Sequence, residues 1–133
     1  MAQETENEIN FKRINIKEFR LKLNLVPPQK IIFYNEKQWN DFWDKYGSGS
    51  KPKIDFGRFI VIGIFLGRKP CPGYVVKITK VRKIKNKIIV DFIKYLPNPE
   101  LDYPAVIVYP YDIIFFLRTE GNIIFSSIKK LKN

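Results

Sequence analysis

Histidine is absent from this 133-residue chain, and cysteine occurs once, as Cys71. The commonest metal ligand and the usual general base are therefore missing, which removes histidine-based triads and histidine metal centres from consideration. A lone cysteine also excludes an internal disulfide. No apolar run approaches the roughly 18 residues needed to cross a bilayer as a helix. The opening MAQETENEIN is acidic and polar, with no apolar centre, so it does not read as a signal peptide. Residues 1–9 hold too little apolar surface to offset the entropy of ordering them and are expected to form a disordered tail.

Hydrophobic residues make up 45% of the chain and aromatics 15%, enough for a core without cross-links. Isoleucine greatly outnumbers alanine, which favours strands over helices. The expectation is one domain over 10–133, mainly β: a β-sandwich or barrel-like antiparallel sheet of about eight strands with one helix packed on it.

Several elements can be placed. Between Phe11 and Val26, alternation at Phe11, Ile14 and Ile16 and then at Phe19, Leu21, Leu23 and Leu25 predicts one or two half-buried strands ending at Pro27 and Pro28. A short strand follows over 30–34. Asn35 with Gln38 three residues on forms a capping box, and Trp39, Phe42, Trp43 and Tyr46 recur at helical spacing, so 36–46 is the expected helix, with Gly47 as its stop. Its aromatic stripe reads as core packing. The run RFIVIGIFLG at 58–67 is apolar at almost every position, as in a central strand buried on both faces. Val76 and Ile78 alternate with polar neighbours, and a turn near Lys85-Asn86 returns the chain through Ile88, Val90 and Phe92 as a hairpin. A strand interrupted at Pro110 and a last strand from Ile123 complete the set.

Charge is lopsided. Lys+Arg 24 against Asp+Glu 13 gives a formal net charge of +11. Lys77, Lys80, Arg82, Lys83, Lys85 and Lys87 concentrate six basic residues on the hairpin, which makes a polyanion or nucleic-acid ribbon the alternative function. Lysine supplies point charges where arginine supplies forked, specific contacts, and lysines also guard exposed sheet edges.

The segment LGRKPCPGYVV raises the sharper question. Pro70 and Pro72 fix their own φ and bias their neighbours toward extended geometry, so the loop is pre-organised. Loops that are ordered before they bind avoid roughly 0.5–1.5 kcal/mol for each side chain otherwise immobilised. Arg68, Lys69, Pro70, Cys71, Pro72 and Gly73 are thus candidate partner-binding residues, together with the stiff Tyr109-Pro110-Tyr111. A tight strand connection is the bland alternative.

Residues 54 to about 117 resemble the C-terminal domain of the protease complex subunit PrcB family. The resemblance is carried by the Ile54-Asp55-Phe56 opening, the strand ending Phe65-Leu66-Gly67, and the proline-containing loop ending Gly73-Tyr74. Downstream it continues through Val76 and Ile78, Pro97-Asn98-Pro99, Ala105 to Val108, and Tyr109-Pro110-Tyr111. It implies a small bacterial domain that is secreted, periplasmic or envelope-associated once a signal peptide is removed, whose partner is another protein such as a protease. It implies no catalytic residues, metal or cofactor. More distantly, Pro70-Cys71-Pro72-Gly73-Tyr74 is similar to the Pro-x-x-Gly-Tyr loop that chagasin-type inhibitors insert into cysteine proteases.

Enzymatic readings are weaker. Cys71 beside Arg68 and Lys69 has a basic setting but no histidine to orient it. Ser126-Ser127 near Lys129 and Lys130 would need a buried lysine and an oxyanion hole. The carboxylates are scattered, with no spacing that forces two of them together. The expectation is a non-enzymatic protein-binding domain.

Overall fold

The computed structural model describes residues 5–133. Eight strands form two four-stranded sheets: β1 (Glu6–Ile9), β2 (Phe11–Arg13), β3 (Gln29–Phe33), β4 (Phe59–Phe65), β5 (Val75–Ile84), β6 (Lys87–Leu96), β7 (Tyr111–Leu117) and β8 (Asn122–Leu131). One sheet has the order β1-β5-β6-β8 and the other β2-β7-β4-β3. The sheets face each other as an open sandwich; the barrel-like alternative does not form. Every pair is antiparallel except β6 with β8, which run parallel.

The helix α1 (Glu36–Tyr46) occupies the expected residues. Asn35 Oδ1 accepts the Gln38 N–H at 2.9 Å, and Gln38 Oε1 accepts the Tyr34 N–H at 2.6 Å, so the cap is closed in both directions. Trp39, Phe42, Trp43 and Tyr46 are all buried against the second sheet. Phe33 meets Trp39 edge-on with centroids 4.9 Å apart, and Phe42 at 5.2 Å.

This third layer explains the unbroken apolar sequence of β4. Val61 and Phe65 pack toward the helix, whereas Ile60, Ile62 and Ile64 enter the core between the sheets with Val76, Ile78, Val81, Ile88, Val90 and Phe92. Full burial of each such side chain contributes about 1.5–3 kcal/mol relative to exposure, so a strand buried on both sides anchors the molecule.

Two expectations are corrected. Residues 1–4 lie outside the described residues, but Glu6–Ile9 is a strand and not a tail. It pairs with β5 at Glu6↔Ile84 through Ile9↔Val81. Backbone pairing orders it, and opposite charge assists: Glu6 Oε1 lies 3.4 Å from Arg82 Nη1. The second correction concerns Phe19 to Leu25. Phe19, Leu21 and Leu23 do turn inward, but among the described residues no ladder partner runs alongside; the segment wraps over α1, Lys22 donating its N–H to Tyr46 O at 2.7 Å, and ends in a 3₁₀ turn over Leu23–Leu25. Alternation records which side chains are covered, not what covers them.

Candidate functional site

At the end of β4 the chain turns at Gly67, whose φ is +73° and whose missing side chain leaves room for the Pro28 ring. The bend leads into Arg68 to Gly73, of which Arg68 and Pro70 are exposed and Gly73 is buried. Lys69 and Val108 then exchange both backbone hydrogen bonds at 2.9 Å, and Leu66 donates its N–H to Pro110 O at 2.9 Å. The two stiff elements singled out in the sequence are therefore stitched side by side. Pro70, Cys71 and Pro72 form the tip, closed by the Tyr74 N–H on Cys71 O at 3.4 Å.

Gly73 is required by crowding and not by a positive φ. A Cβ there would stand 2.8 Å from Cβ and 2.9 Å from Cα of Pro97. The loop with three prolines consequently backs the tip, and it is itself folded by the Asn98 N–H on the Tyr103 hydroxyl and the Glu100 N–H on Asn98 Oδ1.

Between these walls lies an apolar groove of about 280 Å³, with Pro72 and Tyr74 on one side and Val108, Tyr109 and Pro110 on the other. Tyr74 is half-buried, and Lys69 Nζ sits 5.4 Å from the centre of its ring. Tyr111 stacks on Phe65 with centroids 6.5 Å apart. Burial first, and the neighbouring Asp112 carboxylate second, push its phenol above the ordinary value, so it is a neutral hydrogen-bonding group at physiological pH.

Beside the groove, Val106 and Ile107 are 52% and 45% exposed. Both escaped selection as candidate site residues. Their signal was an apolar run, Ala105 to Val108, that lacks strand alternation and is flanked by prolines.

The alternative polyanion residues are not gathered in the same way. Lys77, Lys80, Arg82 and Lys87 lie on the outer face of the first sheet, while Lys83 alternates to the other face and donates to the Thr119 hydroxyl at 2.7 Å. Lys85 occupies the turn with φ +52°. Arg82 is held by Asp91, its Nε 2.7 Å from Oδ2, and by Glu6. The chain's own acidic strand β1 thus runs along part of the basic hairpin.

The residues weighed for catalysis are separated or committed elsewhere. Cys71 is half-buried in the loop tip, and Ser126 and Ser127 lie exposed on β8. Asp91 and Asp112 are each paired with an arginine. Among the described residues no group of His, Cys, Asp and Glu is placed to hold a metal ion, and no helix is long and apolar enough to cross a membrane.

Neither the curated proteins nor the solved structures compared with the chain gave a match. A family model did: the one described as PrcB C-terminal matches residues 60–116, from β4 to β7, a stretch that contains both the Arg68 to Gly73 loop and Tyr109-Pro110. The resemblance read from Ile54 to about Leu117 is borne out over residues 60–116, the stretch at the centre of the sandwich that is similar to a PrcB C-terminal domain.

Proposed function

We propose that this is a non-catalytic protein-binding domain whose contact surface joins the 68–73 loop to the 106–111 segment. One observation carries the reading: the reciprocal Lys69–Val108 hydrogen bonds fuse two proline-stiffened segments into a single rigid edge with exposed Val106 and Ile107 beside it. A surface ordered before contact loses little conformational entropy when it binds.

The family's name, protease complex subunit, supports an extracellular or envelope protein, and a protease in particular, as the partner. On this reading the domain is secreted, periplasmic or envelope-bound. Both a complex subunit and an inhibitor-like role fit this reading, the second only through the similarity of Pro70-Cys71-Pro72-Gly73-Tyr74 to the loop of chagasin-type inhibitors.

A pull-down from envelope and secreted fractions of the source organism tests the proposal, with the intact domain and a Lys69→Glu, Cys71→Glu double variant washed at roughly 0.15 and 0.5 M salt, where the screening length shrinks from about 8 to about 4 Å. Retention of one protease-containing complex by the intact domain at both salts, and its loss in the variant, is the expected result. Identical retention by both proteins, stripped entirely at high salt, would transfer the function to a lysine-polyanion contact.

A further inference from the structure

At the end of the sandwich bounded by β3 and β8, the core between the sheets is replaced by lysine. Ile88, Val90 and Phe92 point inward from β6, and the next inward position on that strand is Lys94. Ile123 and Phe125 do the same on β8, followed by Lys129 at the second inward position beyond them. Lys94 and Lys129 are direct register partners in the parallel ladder, so two like charges stand side by side. From the opposite sheet, Lys30 is the register partner of the buried Ile64, and its Nζ lies 5.9 and 5.6 Å from the centres of the Phe92 and Phe125 rings. Lys69 reaches the same place from the loop.

These side chains surround a cleft of about 650 Å³ whose floor is apolar, from Ile64 and Leu66 to Leu96. Its volume falls within the roughly 300–1,000 Å³ of small-molecule sites. Among the described residues no carboxylate lines it, and none of the four lysines has an acidic partner. Solubility does not ask for lysine at inward positions, nor for two of them in register; an anion held between them explains both placements.

We propose that this cleft binds an amphiphile with a phosphate or carboxylate head. The head lies between Lys30, Lys94 and Lys129, and the apolar body rests on Leu66, Tyr74 and Leu96. Lys69 and Tyr74 border both this cleft and the partner-binding surface, so neither is altered in the test.

Octyl phosphate is the probe, titrated into the isotope-labelled protein while amide NMR shifts are followed, with octan-1-ol and inorganic phosphate as controls. Saturable shifts at Leu66, Tyr74, Lys94, Leu96 and Lys129 are expected, with each control at least about tenfold weaker. A Lys94→Met, Lys129→Met variant should bind at least about tenfold more weakly yet melt no lower than the native protein without ligand, because it removes the like-charge pair. Lys30→Met, on the other sheet, should weaken binding by a similar factor. Sedimentation with phosphatidylglycerol vesicles at 0.5 M salt, about the level at which surface attraction is screened, separates the sources of the head group. Cosedimentation lost in the double variant assigns a lipid, and octyl phosphate binding without cosedimentation assigns a free molecule. Shifts that fail to saturate, that persist unchanged in the double variant, or that inorganic phosphate reproduces at equal affinity would overturn the proposal.

Discussion

The carboxylate of Asp112, on β7, accepts the backbone N–H of Ile78, on β5, at 2.7 Å across the gap between the sheets. The contact sits where the β5–β6 register slips between Ile78 and Lys80. A bulge of this kind takes a residue out of regular pairing, and a buried N–H without an acceptor is costly. Asp112 supplies the acceptor, and Arg13 balances its charge at 3.2 Å while also donating to Ile78 O.

Asp112→Ala should therefore destabilise the fold by about 2–3 kcal/mol, since it strands a buried donor and an arginine together. Arg13 is substantially exposed, so Arg13→Ala should cost less, about 1 kcal/mol. Urea denaturation of the two variants measures both. An Asp112→Ala midpoint equal to that of the native protein would show that the bulge needs no polar lock.

Gly73 gives a second expectation. Any side chain at this position meets the Pro97 ring and backbone, neither of which can swing away as a flexible chain end would. Gly73→Ala should cost about 1–3 kcal/mol, as overpacking does, and should displace the loop tip from the 97–104 segment. Reduced melting temperature together with altered amide shifts at Cys71 and Asn98 is the expected signature. A variant that melts normally would mean that the tip is loosely held and that its rigidity does not come from Pro97.

The sequence revealed some of this and hid the rest for physical reasons. Trp39, Phe42, Trp43 and Tyr46 declared the helix because local spacing and the Asn35 cap are properties of contiguous residues. Lys85-Asn86 declared the hairpin for the same reason. The Asp55 motif, part of the family resemblance, proves to be a turn that launches β4, its Oδ1 accepting the Gly57 N–H at 3.0 Å. What stayed hidden depends on distant pairing. Glu6–Ile9 is a strand only because β5 lies beside it, and Phe19 to Leu25 is not one only because nothing does. The union of Lys69 with Val108 and of Lys94 with Lys129 follows from topology, and the parallel course of β8 has no local signal at all.

Tyr111 predicts a pH response. Its phenol is held above the ordinary value of 10.0, chiefly by burial, so the folded protein keeps this proton where the unfolded chain has begun to release it. Stability is then fully present below about pH 10 and falls as the pH rises through the raised value, because the unfolded state binds fewer protons there. Thermal melts between about pH 9 and 11 should show this decline, and Tyr111→Phe should make it shallower. A native and variant pair with superimposable pH profiles would mean that Tyr111 ionises as freely when folded as when unfolded.

Val106 and Ile107 distinguish a contact surface from a mere strand connection. Their side chains face solvent, so Val106→Asp and Ile107→Asp should each change stability by no more than about 0.5 kcal/mol. If the 68–73 and 106–111 segments act as one edge, placing a carboxylate there should weaken partner retention at least about tenfold, the equivalent of about 1.4 kcal/mol. The loss should match that of Lys69→Glu, Cys71→Glu, because the Lys69–Val108 bonds put both sets of substitutions on the same rigid element. Equilibrium binding of the captured protein to the single and combined variants provides the measurement. Aspartate variants that bind as the native domain does, while Lys69→Glu, Cys71→Glu does not, would confine recognition to the loop tip and leave 106–108 as its structural backing.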